Sequence, residues 1–184
     1  MSDPSIKSIC VFCGASFGKD PAFRAAAEEL GRQIGENDIR LVFGAGHVGM
    51  MGTVADAVLA SGGEAIGVIP EFLRDRDQAH KNLTELHVVD SMHTRKRMMF
   101  DLSDAFVALP GGLGTLEEVF EMVTWRQLGR HAKPIVLVST KDYWQPFDAL
   151  VRSVVENDFA HGDTDTYFNT VPDPSTAIDL LLHR

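Results

Sequence analysis

The sequence predicts an α/β fold, a doubly wound parallel sheet in a single domain spanning residues 1–184. Three observations carry that expectation. Short β-branched or apolar runs alternate with longer helix-period segments along the whole chain, which is the pattern of a parallel sheet covered by helices. Several apolar runs end directly in turn residues, namely Gly14, Gly44, Pro70 and Pro110-Gly111-Gly112. The 184 residues, 45% apolar and 23% charged, suit one globular domain with a real core.

Taken in order, strands are expected near Ser8–Cys13, Ile39–Phe43, Ala65–Ile69, Glu85–Val89, Ala105–Leu109 and Ile135–Val138. Helices are expected over Pro21–Asn37, Val48–Ser61, Met92–Ser103, Thr115–Leu128, Phe147–Asn157 and Ser175–Leu182. In such sheets ligands bind at the carboxyl ends of the strands, so the chemistry belongs on the loops that follow them. Cys10 and Cys13 form a C-x-x-C, but an odd spacing on a strand sends the two thiols to opposite faces, which favours buried structural cysteines over a redox or metal pair. The N-terminal residues lack a signal-peptide pattern and no segment approaches the ~20 apolar residues of a bilayer span, so a cytoplasmic protein is expected. A net charge of −9 repels polyanions and anionic surfaces. The expected partner is a small molecule, with no nucleic acid and no membrane.

Four constellations can carry chemistry. Gly14-Ala15-Ser16-Phe17-Gly18 matches the serine nucleophile elbow, but Lys19-Asp20-Pro21 prolongs the loop where an elbow turns straight into its helix. A plain connection, or a loop whose Ser16 hydroxyl and amides touch an anion, fits better. Gly44-Ala45-Gly46-His47-Val48-Gly49 reads as G-x-G-x-x-G, with Glu71 at the next strand end; a dinucleotide site, simple helix–strand packing and a mononucleotide loop including Gly46 all remain open. Pro110-Gly111-Gly112-Leu113-Gly114-Thr115-Leu116-Glu117-Glu118 places three glycines between a strand and a helix. Bare amides there can hold a phosphate at the positive end of the helix dipole. A capping box, Thr115-x-x-Glu118, explains Thr115 and Glu118 but not the glycines.

The fourth constellation is Arg95-Lys96-Arg97 at the start of the helix after the fourth strand. Cations there oppose the helix dipole, so the arrangement calls for an anionic substrate or a carboxylate as partner. Arg95 and Glu118 are expected on one edge of the sheet. His93 reads as a cap or surface histidine.

Met92-His93-Thr94-Arg95-Lys96 matches M-H-x-R-K, and Pro110–Glu118 matches P-G-G-x-G-T-x-x-E. With Gly67-Val68-Ile69-Pro70 and Thr124-Trp125-Arg126-Gln127-Leu128-Gly129, the chain resembles the LOG (Lonely Guy) family, cytokinin riboside 5′-monophosphate phosphoribohydrolases formerly described as lysine decarboxylases. The resemblance implies a Rossmann-like homodimer that splits the N-glycosidic bond of a purine nucleoside 5′-monophosphate, such as AMP or an N6-modified relative, without metal or cofactor. It implies Arg95 and Glu118 as the catalytic pair. Lys96, Gly112, Leu113, Gly114, Thr115, Glu117 and Thr124 match nucleotide-contacting positions, and Gly111 belongs to the same phosphate loop. This chain has Ala45 and Ser91 where the family often has glycine and aspartate, and Asp77 where it has a glutamate that contacts substrate. A non-catalytic nucleotide or cofactor carrier on the same fold, gripping its ligand with the Gly44 loop, is the rival reading. Independently of the resemblance, Leu116, Val119, Phe120, Met122, Val123, Trp125 and Leu128 cover more than one stripe of their helix, which suggests a second apolar face left for a subunit contact.

Overall fold

The computed structural model describes residues 6–74, 79–160 and 163–183. Asp77 lies outside them. Seven strands form one all-parallel sheet: β1 (Ser8–Phe12), β2 (Arg40–Phe43), β3 (Ala65–Pro70), β4 (Glu85–Val89), β5 (Ala105–Ala108), β6 (Ile135–Val138) and β7 (Asn169–Val171). Their spatial order is β4-β3-β2-β1-β5-β6-β7. The chain therefore reverses direction between β1 and β5, the switch point where doubly wound sheets open a crevice.

The helices are α1 (Pro21–Glu36), α2 (Gly49–Ala60), α3 (Glu71–Arg74), α4 (Met92–Asp101), α5 (Leu113–Gln127), α6 (Gln145–Glu156) and α7 (Pro174–Leu182). One face of the sheet packs on α1, α2 and α7 through Leu30, Ile34, Met50, Val54, Val58 and Ile178. The other packs on α4, α5 and α6 through Met99, Phe100, Val119, Met122, Val123 and Phe147. Burial on both faces is why β1, β3, β5 and β6 are continuous apolar runs with every residue buried. Cys10 sits in the second layer and Cys13 in the first, both as buried free thiols on opposite faces.

The six expected strands and six expected helices form, with ends shifted by one or two residues. The strand β7 and the four-residue α3 are additions. The start of α5 is a correction: the helix begins at Leu113, two residues before Thr115, with Gly112 as its N-cap and no side chain capping it. Thr115 therefore stands inside the first turn, and the Thr115-x-x-Glu118 capping box does not form. Its neighbours show what a cap looks like here. Asp20 accepts from the Ala22 amide at 2.9 Å, Ser91 from Thr94 at 3.2 Å and Asp173 from Thr176 at 2.8 Å, each satisfying an orphan donor of α1, α4 or α7. Among the described residues the amides that open α5 lack such a side-chain partner, as do those of α2 and α6.

Candidate active site

Arg95 lies in the first turns of α4, whose chain has just left the edge strand β4 to cross back toward β5. Its side chain is buried. Nε donates to the Val68 carbonyl of β3 at 3.0 Å, and a terminal nitrogen donates to the Gly44 carbonyl beyond β2 at 2.6 Å. The third contact, to Met92 Sδ at 3.8 Å, is weak. The partner expected for these cations is an anionic substrate or a carboxylate; within the chain Arg95 is anchored by a pair of backbone carbonyls, which orient the guanidinium without neutralising it. Gly44 is obligatory for this: a Cβ there would collide with the Arg95 guanidinium. Burial presses the Arg95 pKa below its usual range and the Glu118 carboxylate works against that; an arginine remains charged regardless.

Glu118 projects from α5, half-buried. Burial is the main reason its carboxyl is pushed up to about 7; Arg95 pulls it down, Glu117 pushes it up, Lys96 lowers it and Glu121 raises it. Arg95 and Glu118 sense one another, yet among the described residues no hydrogen bond or ion pair joins them. A carboxyl poised near neutrality beside a fixed cation is the usual signature of a working group.

Lys96, the next residue, is buried and pairs with Glu117 and, at 3.2 Å, with Glu121. Burial alone would lower its pKa, but the two carboxylates win and raise it. This clamp ties α4 to α5 on either side of Glu118. Glu121 was not foreseen; its spacing one helical turn beyond Glu117 was the available signal. Arg97 pairs with Asp101 at 2.8 Å on the surface, and His93 is exposed.

The glycine loop of α5 lies at the switch point. The Gly14 amide donates to the Pro110 carbonyl at 3.1 Å, joining the loops after β1 and β5. At Gly111 a Cβ would collide with the Thr115 hydroxyl, so the turn is tight. Gly112 and Gly114 differ: a Cβ on either would meet nothing within 4 Å, and Gly112 has an extended φ of −92° that any residue adopts. Neither packing nor backbone strain within the chain asks for glycine there. The space a side chain would take is open at both positions.

Among the other foreseen residues, Ser16 is exposed on the loop after β1, Thr124 is exposed further along α5, and Leu113 is 85% exposed at the first position of α5. Gly46 is buried and bridges to Ala79.

These features define a doubly wound α/β protein in which a glycine-rich turn opens the helix that carries a raised carboxyl, within electrostatic reach of a buried guanidinium. Residues 51–181 match the model of a family described as possible lysine decarboxylase. The chain belongs to that family. It is 48% identical over 157 residues (85% of this chain, 79% of the relative) to the cytokinin riboside 5′-monophosphate phosphoribohydrolase of Rhodococcoides fascians, and 44% identical over 153 residues (83% and 70%) to one from Arabidopsis thaliana. Among solved structures it is similar in fold to the molybdenum cofactor binding protein of Rippkaea orientalis, with a TM-score of 0.73, 21% identity and 97% of each chain covered. The molybdenum cofactor carrier protein of Chlamydomonas reinhardtii gives a TM-score of 0.71 at 21% identity, over 96% of this chain and 98% of that one. At that identity the likeness concerns the fold alone.

Proposed function

We propose that this chain is a phosphoribohydrolase that cleaves the N-glycosidic bond of a purine nucleoside 5′-monophosphate, AMP or its N6-modified cytokinin relatives, to free base and ribose 5-phosphate. The observation that carries the reading is Glu118, its carboxyl pushed up to about 7 and within reach of the buried Arg95, on the helix that the open glycines Gly112 and Gly114 begin. The 5′-phosphate sits on the amides around Gly111, Gly112, Leu113, Gly114 and Thr115, at the positive end of the α5 dipole. Ser16, Gly46, Lys96, Glu117 and Thr124 complete the surroundings of the nucleotide; Asp77 is proposed with them from the family resemblance alone.

Breaking the bond builds positive charge on the ribose and negative charge on the departing base. The Glu118 carboxylate stabilises the first and orients the attacking water. Arg95, held rigid by two carbonyls, stabilises the second. Water adds its hydroxyl to the anomeric carbon, and the remaining proton ends on the base.

The decarboxylase in the family's description fits the site poorly. Pyridoxal phosphate chemistry needs a lysine that yields a free amine, and the site's buried lysine, Lys96, is kept protonated by Glu117 and Glu121.

Incubation with AMP and with isopentenyladenosine monophosphate, followed by chromatography, tests the reading: free base is expected from at least one. Tight binding without turnover would favour the carrier. We further propose a cytoplasmic homodimer. No helix among the described residues is long and apolar enough to cross a membrane. On α5 Val119, Met122 and Val123 are buried, while Leu113 and the C-cap Leu128 are largely exposed and Phe120, packed on Phe147, is exposed in part, which leaves an apolar face for a second copy. Light scattering at assay concentration is expected to give twice the 20.2 kDa chain mass.

A further inference from the structure

The loop after β6 carries no recognised motif, yet it touches the cradle. β6 pairs with β5, Leu137 opposite Ala108, so the two loops at their carboxyl ends are neighbours. Lys141 and Asp142, neither of them glycine, both adopt left-handed backbone, with φ of 56° and 57°. Ser139 holds that strained turn: its carbonyl accepts from the Asp142 amide at 2.9 Å and its hydroxyl from the Trp144 amide at 3.0 Å. Strain of this kind persists where the surroundings over-determine it, and it gathers at functional sites. Its product here is the placement of Tyr143. The phenol ring meets Phe23 edge-on at 5.9 Å and Trp144 at 5.4 Å, and its hydroxyl donates to the Gly111 carbonyl.

A trans peptide points its carbonyl and its N–H in opposite directions. The Pro110 carbonyl is fixed by the Gly14 amide and the Gly111 carbonyl by Tyr143. The amides of Gly111 and Gly112 are consequently turned away from those anchors. The geometry points to Tyr143 as a positioning residue for the 5′-phosphate: its hydroxyl locks the Gly111–Gly112 peptide so that the Gly112 amide joins the uncapped α5 amides in one concave set of donors. Accepting the phenol proton also polarises that peptide and strengthens its N–H as a donor. The inference rests on the proposed reading of the cradle as a phosphate site, and it adds a residue remote in sequence from both motifs.

The test uses the full chain with Tyr143→Phe, which keeps the ring between Phe23 and Trp144 and removes only the hydroxyl. Calorimetric titration with ribose 5-phosphate, inorganic phosphate and adenine is paired with kcat and KM on the nucleotide that the parent protein turns over. Loss of one hydrogen bond of ordinary strength predicts affinities for ribose 5-phosphate and phosphate weaker by about five- to tenfold. KM is expected to rise by a similar factor, with kcat within about twofold and adenine binding unchanged. Unchanged phosphate affinity would overturn the inference, as would equal weakening of adenine and ribose 5-phosphate, the mark of a merely structural role. If the variant also lowers the thermal midpoint, the ratio of the two affinities still decides. Failure of the parent protein to bind ribose 5-phosphate at all would instead remove the phosphate reading itself.

Discussion

Two glycine-rich loops follow strands of this sheet and lead into helices, and in sequence they look alike. Around Gly44 the missing side chains are answered by the protein's own atoms: Arg95 at Gly44, Met51 at Gly46, the His47 carbonyl at Gly52. Around Gly112 and Gly114 nothing within 4 Å answers them. The first loop is a mould cast around an arginine; the second is open, and on the proposed reading it is the nucleotide's phosphate that fills it. A glycine motif identifies a close approach, and only the neighbours show whether the approaching group is internal.

The sharpest way to break this comparison is to remove the carboxyl that faces the second loop. Glu118→Gln is expected to lower kcat by about 10²–10⁴, the range for loss of a positioned acid–base or charge-stabilising group, with ribose 5-phosphate still bound. Because the working form is the carboxylate, kcat/KM of the parent should climb with pH through about 7. Stability runs the other way. The native carboxyl at about 7 holds its proton more tightly than the unfolded one near 4.5, so between those values the folded state binds more protons and loses stability as pH rises. Glu118→Gln should therefore be more stable than the parent above pH 7, by about 1–3 kcal/mol, with the gain gone below about pH 4.5. Urea titrations at pH 4 and 8 measure it.

The next contrast sets the loops against each other. Gly44→Ala drives a methyl into the Arg95 guanidinium; displacing it should cost about 10²-fold in kcat/KM and, by overpacking, about 1–3 kcal/mol of stability. Gly112→Ala and Gly114→Ala should do the reverse, leaving the thermal midpoint level or raising it, since alanine at helical position 114 is favoured by up to ~1 kcal/mol, while ribose 5-phosphate affinity falls about tenfold. Calorimetry and thermal unfolding on the three variants suffice; an equal pattern in both loops would erase the distinction.

The smallest effect is expected at Ala45. It is fully buried with φ of 61°, a conformation that costs an alanine roughly 1–2 kcal/mol. Its methyl occupies the space beside Gly67, and burial of such a group returns ~0.8 kcal/mol. Replacement by glycine relieves strain but surrenders packing and loosens the unfolded chain. Denaturant midpoints for Ala45→Gly should differ from the parent by less than about 1 kcal/mol.

Much of this was readable in the sequence, for reasons that also mark where reading stops. Strands buried on both faces announce themselves as apolar runs, but the three residues of β7, Asn169–Val171 at the sheet edge with two of them exposed, carry no such run. Arg95 stood out as a charge misplaced against a helix dipole, and Glu118 through its motif. Their partners did not stand out. The Gly44 carbonyl lies 51 residues from Arg95 and Tyr143 lies 32 from Gly111, distances over which neither periodicity nor spacing carries information. The left-handed backbone at Lys141 has no glycine, asparagine or aspartate to betray it, and at Asp142 the aspartate is the one local signal.

The pairing of Ile9 in β1 with Ala105 in β5 has a consequence for how the chain is made. Emerging from the ribosome, β1 through β4 can assemble with β1 as a bare edge, and such an edge is sticky toward other chains until its true neighbour arrives. The cradle exists only once β5 has docked. A nucleotide can bind the finished fold and none of the earlier ones, so at a hundredfold excess over its dissociation constant it withdraws about 2.7 kcal/mol from every incomplete state at once. Cells rich in the ligand would then keep the finished protein from reopening more effectively than starved ones.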